Sequence, residues 1–511
     1  MPDIIAFHGR NTPQKVSIRD IEKRETLTYG ALDRKVGAIA ALLQDRLGAN
    51  SGARVAMLSR NSALMLVMHL ACARAGAIFV PLNWRLAPPE IAALIADAAP
   101  KAIVWQAEFD AHAESALTTI VKDCQFRLEK GSCAISRAAE GFTPLDGVAA
   151  RDENAPIALL YTSGTSGRSK GVILTEKTLL YSALNYGLSA GMSGESVFLC
   201  DMPLFHVAGL LAASRTTLFY GGTVVVSQRF DPVGTYENLT DPDLGISHYF
   251  CVTQMAAQMR AAHPEGAMKK LSHLKVLQTG GAPNPPASVS AWANDGVRMS
   301  DGFGMTEIGS AFNMPAHDLD TIRRKAGSIG FPSMFLEAKI MTPDGDEAKT
   351  GEIGELWVKG PNVTPGYWNK PVETAAAFHD GWLKTGDSAR QDDEGFYYIV
   401  DRTKDMYISG GENVYPVEVE AALAEMAAIL DCAVIGVPDE RWGETGVAYV
   451  LLKPEAPALT DKDVIAHIRS RLAAFKAPKH VAFVKELPRT PSGKVQKHVL
   501  KAKWLAENSG T

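Results

Sequence analysis

One stretch constrains the architecture more than any other: Tyr161-Thr-Ser-Gly-Thr-Ser-Gly-Arg-Ser-Lys-Gly171. Leu159 and Leu160 end an apolar run that predicts a buried strand, and the chain then turns abruptly to small hydroxylated residues, glycines and a lysine. Glycine opens backbone conformations closed to other residues, so consecutive N–H groups can converge on one anion. The hydroxyls of Thr162, Ser163, Thr165 and Ser166 add donors, Gly164 and Gly167 give the turns, and Lys170 adds a point charge. The pattern predicts a polyphosphate cradle on a strand-bearing α/β scaffold. It is not a Walker A loop, because Ser169 stands where that motif, counted from Gly164, requires glycine. Taken alone, the stretch also fits a polar surface loop, so the rest of the chain has to decide.

With 511 residues the chain is long enough for more than one hydrophobic core, and 46% apolar with 21% charged residues is an ordinary globular balance. A net charge of −5 gives no basic field for nucleic acid. The start, MPDIIAFHGR, lacks the basic and apolar regions of a secretory signal, and the longest apolar stretch, Leu64 to Leu82, is broken by His69 and Arg74. No transmembrane segment is expected. Six scattered cysteines without C-x-x-C spacing point away from zinc and disulfides, toward a reducing cytoplasm.

Thr28 to Leu47 predicts a helix, Ala53 to Leu58 a strand, Ala63 to Ala75 a helix, Ala77 to Leu82 a strand, Pro88 to Ala96 a helix and Ala102 to Trp105 a strand. Such alternation implies parallel sheets covered by helices, and it resumes after the glycine-rich loop up to about Gly304. From Gly327 to Val400, short runs such as Glu355 to Lys359 and Phe396 to Val400 predict a small β-rich unit. Beyond Asp401 comes an α+β pattern: a helix at Pro416 to Met426, strands at Cys432 to Val437 and Val447 to Leu452, and a helix at Asp461 to Ala474. The expected organisation is an α/β N-terminal domain, residues 1–401, and a small mobile α+β C-terminal domain, residues 402–511. Between Asp401 and Lys404 there is no Pro/Gly/Ser linker, which predicts a short hinge.

Further segments join the loop. Met202-Pro-Leu-Phe-His-Val-Ala-Gly209 sets His206 among apolar residues, and Thr279-Gly-Gly-Ala-Pro283 follows a strand-like run. Asp301-Gly-Phe-Gly-Met-Thr-Glu307 combines an aromatic able to stack on a base with a glutamate able to hold Mg²⁺ beside phosphates. Trp382-Leu-Lys-Thr-Gly-Asp387 ends in a carboxylate able to bind vicinal hydroxyls, and Pro491-Ser-Gly-Lys494 places a lysine on a tight turn. Together with Asp401-Arg-Thr-Lys-Asp and Ser409-Gly-Gly-Glu-Asn-Val-Tyr-Pro416, the ordered set closely resembles the adenylate-forming superfamily, in its acyl-CoA synthetase branch. The resemblance runs from about Leu27 to Lys497.

What the resemblance implies falls on particular residues. Thr162 to Lys170 would hold the ATP phosphates, with Thr162 and Glu307 positioning Mg²⁺. Gly281, Ala282, Pro283, Asp301, Gly302, Phe303, Gly304, Met305 and Thr306 would surround adenine and the nearby acyl group. Asp387 would bind the ribose with Arg402 close by, and Lys494 would bridge the substrate carboxylate and the α-phosphate. Lys494, Thr306, Glu307, Arg402 and His206 form the expected catalytic set. His206, Val207, Thr279, Gly281 and Met305 would flank the acyl group. Lys404 would be the hinge, and Ser409, Gly410, Gly411 and Glu412 would line the pantetheine tunnel.

The implied reaction couples a carboxylic acid to coenzyme A through an acyl adenylate, using ATP and Mg²⁺, with a homodimer compatible with the family. No carrier domain follows Lys494, which favours CoA over a carrier-protein thiol. A stand-alone adenylation enzyme and an inactive nucleotide-binding homologue are the alternatives. Phe205 to Leu211 and Tyr249 to Met255 contain no Arg or Lys, so a fatty or aromatic acid is expected over a dicarboxylate, whose second charge would lack a partner.

Overall fold

The computed structural model of the chain describes residues 3–129, 132–147, 152–162, 169–281, 284–402, 405–409, 412–439, 442–472, 474–489 and 493–508. Among them the strands form four sheets. A seven-stranded sheet runs in the order Ser132–Cys133, Gln125–Glu129, Ala102–Gln106, Arg54–Leu58, Ile78–Pro81, Pro156–Thr162, Lys170–Thr175. A nine-stranded sheet carries Gly309–Asn313, Met299–Met305, Val276–Thr279, His248–Cys251, Val197–Cys200 and Thr223–Val226 as successive neighbours. The strands from Val276, His248, Val197 and Thr223 pair in parallel, as the βα alternation requires.

The helix Ala63–Ala75 explains how the two large sheets are joined. Its residues are apolar on nearly every side, and nearly all are buried. A helix without a polar face has to be covered all round. One core cluster accordingly contains its Met65 and Met68 together with Phe79 of the first sheet and Phe198 of the second. The helix's two polar residues reach partners in other segments, while His69 Nδ1 has no hydrogen-bond partner among the described residues. Arg74 ion-pairs with Asp3 and Asp33, each at 2.7 Å, and His69 lies 3.3 Å from Arg215. The helix Tyr29–Leu47 starts at Thr28, whose hydroxyl accepts the Ala31 N–H, and ends at Gly48 with φ +86.

Glu337–Met341, Gly354–Lys359, Trp382–Gln391, Phe378–His379 and Tyr397–Arg402 make the small β unit, with its own core around Leu356, Val358 and Leu383. The last sheet, built on the long hairpin of Ile429–Asp439 and Gly443–Leu452, buries Val434 and Val450 on one side and Ile435 and Val447 on the other.

One expectation needs revision, and two features have no counterpart in the sequence reading. The strands flanking the glycine-rich loop are antiparallel, so that loop tops a hairpin and does not lead from a strand into a crossover helix. The helix predicted over Asp461 to Ala474 stops at Arg469, with Ser470 as its C-cap, although Leu472 beyond it still packs against the core of Val464 and Ile468. After His206 the chain forms a π-helix, Ala208–Arg215, which no periodicity signalled.

Candidate active site

The stem of the glycine-rich hairpin is well defined. Tyr161 pairs with Gly171 and Thr162 with Lys170 across the ladder. Lys170 Nζ lies 4.9 Å from the centre of the Tyr367 ring, and the Tyr367 hydroxyl donates to Glu307 Oε1 at 3.0 Å. The Thr364 N–H fixes the Glu307 carbonyl at 2.7 Å. Burial, and then the Glu307 charge, raise the Tyr367 phenol above its ordinary value, so it stays a donor. Lys170 and Glu307, far apart in sequence, are thus held on either side of Tyr367, which the motifs did not include. Ser163, Gly164, Thr165, Ser166 and Gly167 lie outside the described residues.

The carboxyl ends of Val276–Thr279 and Met299–Met305 form the floor, the usual place for ligands in a parallel sheet. On one face Thr279 Oγ1 donates to Asp301, and Asn284 Nδ2 donates to the same carboxyl oxygen at 3.1 Å. Burial pushes the Asp301 carboxyl up to about 7, against the pull of these two donors. Asn284 was not foreseen; it follows the Gly-Gly-Ala-Pro run and points back beneath it. Gly281 adopts φ +84, which favours glycine there. Ala282 and Pro283 lie outside the described residues. Phe303 packs edge-on against Phe312, with ring centres 5.9 Å apart. Gly304 pairs with Ser310, and a side chain on it would collide with the Gly309 carbonyl. Thr306 and Glu307 are buried beyond Met305.

His206 sits in the turn before the π-helix, its ring 4.8 Å from that of Phe205, and Val207 follows it against the core. Its Nε2 is enclosed and has no hydrogen-bond partner among the described residues. Burial, then the charges of Arg85 and Lys494, hold the imidazole down at about 4, so it is neutral near pH 7. Arg85, from the loop after Ile78–Pro81, lies 5.8 Å from the Phe205 ring centre and 5.1 Å from that of Trp84. The argument against a dicarboxylate therefore loses its premise: a cation does reach this wall, brought from a loop remote in sequence. Arg215 is committed elsewhere, to Glu176 and His69.

The C-terminal sheet contributes through one turn. Gly493 has φ +87, and a side chain there would lie 3.3 Å from Val252 Cγ2, at the end of the strand His248–Cys251. Arg489 braces the turn by donating to the Gly493 carbonyl while its other nitrogen meets Asp431. Lys494 follows immediately. Asp387, buried in Trp382–Gln391, is paired in register with Arg402. Ser409 pairs with Glu412 across a hairpin and is buried. Lys404, Gly410 and Gly411, and the side chains of Arg402 and Glu412, lie outside the described residues. Among the described residues no group of three or more His, Cys, Asp or Glu is placed to hold a metal ion, and no helix is long and apolar enough to cross a membrane.

The carboxyl ends of two parallel strands, the stem of the glycine-rich hairpin and the turn that carries Lys494 from a separate sheet are the described parts of the candidate site. The family model for AMP-binding enzymes matches residues 6–368, the model for their C-terminal domain matches residues 418–494, and the chain belongs to this family, within its acyl-CoA synthetase branch. A feruloyl-CoA synthase from Amycolatopsis sp is 38% identical over 489 residues, 96% of each chain. An indoleacetate–CoA ligase from Aromatoleum aromaticum is 35% identical, covering 96% of this chain and 95% of that one. The crystal structure of ATP-bound MatB from Rhodopseudomonas palustris superposes with TM-score 0.88 at 31% identity, over 99% of each chain. The protein is an AMP-forming acid–thiol ligase whose substrates are ATP, CoA and a carboxylic acid.

Proposed function

We propose that the acid is aromatic and that the two steps share the residues above in the following way. The acid carboxylate attacks the α-phosphorus of ATP, the bond to the bridging oxygen breaks, and pyrophosphate leaves. Two anions must approach, so the chain has to present fixed charge and donors where negative charge gathers. Lys494 is assigned to the α-phosphate and carboxylate, the 162–170 hairpin to the β- and γ-phosphates, Asp301 with Thr279 to the adenine side, and Asp387 with Arg402 to the ribose. The CoA thiolate, its pantetheine arm assigned to Ser409, Gly410, Gly411 and Glu412, then attacks the acyl carbonyl, the bond to the phosphate oxygen breaks, and AMP departs. His206, neutral and unpartnered, borders the acyl group as an uncharged wall.

The single observation that carries this reading is the seat of the Gly493 turn against the end of the strand His248–Cys251, where a Cβ on Gly493 would lie 3.3 Å from Val252 Cγ2, with Lys494 next in the chain. Mg²⁺ would be held by the nucleotide's phosphates with Glu307 and Thr162, and it would supply charge neutralisation there. The Glu307 carboxylate, held by the Tyr367 hydroxyl, is an oxygen donor of the kind such a hard cation takes. A boundary between the domains at residues 401–404 is supported by the separate cores of the last two sheets. A reducing cytoplasm is supported by cysteines that are all free. The aromatic class is supported by the relatives named for ferulate and indoleacetate and by Phe205 and Phe250 beside the strand ends.

The test is a panel of aromatic and alkyl acids assayed for pyrophosphate release with ATP and CoA. Turnover of cinnamates or arylacetates above that of octanoate is expected, with AMP as co-product. Preference for octanoate would overturn the aromatic assignment, and ADP as product would overturn the mechanism.

A further inference from the structure

The turn that carries His206 is held by a residue remote from it in sequence. Residues 202–205 lie between the strand Val197–Cys200 and the π-helix Ala208–Arg215, in neither helix nor strand. The His206 N–H donates to the Pro203 carbonyl at 3.0 Å, and the Leu210 N–H donates to the His206 carbonyl at 3.0 Å. The ring has no anchor at its enclosed Nε2, which lacks a hydrogen-bond partner among the described residues. The place of the imidazole is therefore set by the backbone beneath it. A buried segment without regular pairing needs partners for its N–H and C=O groups from elsewhere.

Asn61 supplies them. It stands in the loop between Arg54–Leu58 and Ala63–Ala75 and is 3% exposed. Its Oδ1 accepts the Leu204 N–H at 2.9 Å. Its Nδ2 donates to the Met202 carbonyl at 2.8 Å and to the Ser227 carbonyl at 3.1 Å. All three partners are backbone groups of fixed polarity, so the amide can face only one way. It pairs on either side of Pro203, the residue whose carbonyl takes the His206 N–H.

The anchor is itself fixed. The neighbouring Ala63 N–H donates to Asp20 Oδ2 at 2.9 Å, and the Arg60 N–H donates to Gln106 Oε1 at 2.9 Å. The Ser227 N–H donates to the Cys200 carbonyl at 3.0 Å, so Asn61 also ties together the ends of the paired strands Val197–Cys200 and Thr223–Val226. The π-helix presses on the same turn: a Cβ on Gly209 would lie 2.4 Å from the Pro203 carbonyl oxygen and 2.7 Å from that of Met202. The turn is thus gripped between a rigid amide and a glycine of the helix it leads into.

We propose that Asn61 is a positioning residue of the acid site, holding the 202–205 turn so that the His206 ring keeps its place beside the acyl group; this rests on the reading of His206 as a wall of that site. Released from Asn61, the turn shifts and carries the ring with it. The acid is affected, and the nucleotide, assigned to the glycine-rich hairpin and the strand ends, is not.

The full-length enzyme is assayed by pyrophosphate release with cinnamate and with octanoate, and the acid turned over faster is used for a double-mutant cycle of Asn61→Ser and His206→Ala. KM does not depend on the amount of folded enzyme, so a partly unfolded variant does not disturb the comparison. Asn61→Ser is expected to raise the acid KM about tenfold and to leave the KM for ATP unchanged. In the His206→Ala background the same substitution is expected to change the acid KM by less than about twofold, because the ring it positions is gone. An unchanged acid KM in Asn61→Ser, a parallel rise in the KM for ATP, or an equal rise in both backgrounds overturns the assignment of Asn61 and leaves the reading of His206 standing. If His206→Ala alone leaves the acid KM unchanged, the reading of His206 falls and takes Asn61 with it. Asn61→Asp, which keeps the acceptor for the Leu204 N–H, replaces the serine variant if that one does not fold. Failure of both to fold makes Asn61 a folding residue and overturns the proposal.

Discussion

Two lysines of the site are held in different ways. Lys170 is part of a sheet: its backbone pairs with Thr162 and its ammonium rests over Tyr367. Lys494 stands on an irregular turn that belongs to another sheet, is braced by Arg489, and meets the large body at Val252. The first kind of placement fixes a charge in the sheet, which suits the proposed role toward the β- and γ-phosphates that leave as pyrophosphate in the first step. The second sets a charge on a turn of a separate sheet, which suits the proposed role in a step that needs it followed by one that does not.

Removing the charge on the turn should have the largest effect. Lys494→Ala is expected to slow adenylate formation by about 3 kcal/mol or more, a hundredfold or greater loss, since its charge faces the transition state. Thioester formation from pre-made acyl adenylate should be nearly unchanged. Equal loss in both half-reactions would erase the contrast between the two lysines.

The fixed floor can be tested by pH. The folded-state value of Asp301 is raised to about 7 from an ordinary carboxylate value of 3.8. The proton is held more tightly in the folded state, so its stabilisation is complete below pH 4 and is lost as pH rises through 7. Relative to wild type, Asp301→Asn should gain stability between pH 5 and 7, on the order of 2 kcal/mol at about 1.4 kcal/mol per pH unit. Chemical denaturation at several pH values measures it, and a pH-independent difference would refute the buried, protonated carboxyl.

Arg489→Ala sharpens the comparison from the other side. It leaves Lys494 in place but removes the brace, so a loss of about 1.4 kcal/mol, or tenfold, in pyrophosphate exchange is expected. A loss as deep as that of Lys494→Ala would mean the arginine itself meets substrate. The smallest effect belongs to Tyr367→Phe, which removes one hydrogen bond to Glu307. About 1 kcal/mol, near fivefold, should appear in adenylation, with the same apparent affinity for the acid. A changed acid KM would move Tyr367 from the phosphate side to the acyl side.

The elements with repetitive patterns were legible. The strand at Arg54–Leu58 and the helix at Ala63–Ala75 stand within a residue of where alternation put them, because burial on both sides leaves continuous apolar runs. The antiparallel return of the strand after the glycine-rich stretch was not legible, since glycine and serine do not encode the direction of the returning strand. Asp301 and Lys494 stood out because their motifs are local. Arg85, Asn284, Tyr367 and Arg489 did not, because each gains its meaning from a partner in another segment. The π-helix after His206 escaped for the opposite reason: it is local, but it follows no common period.

Val252 has a consequence for the order of events. It touches the Gly493 turn on one side and lies 3.6 Å from where a side chain on Gly281 would begin on the other, at the tip of the strand that carries Phe250. On the proposed assignment of the acid to this floor, a single valine borders both the acid and the lysine-bearing turn. The expected consequence is an order of events in which the acid loads before the turn seats and the turn leaves before the product does. An enlarged side chain at position 252 is then expected to hold the turn away and turn ordered turnover into leakage of free acid and AMP, visible as ATP consumption without matching thioester.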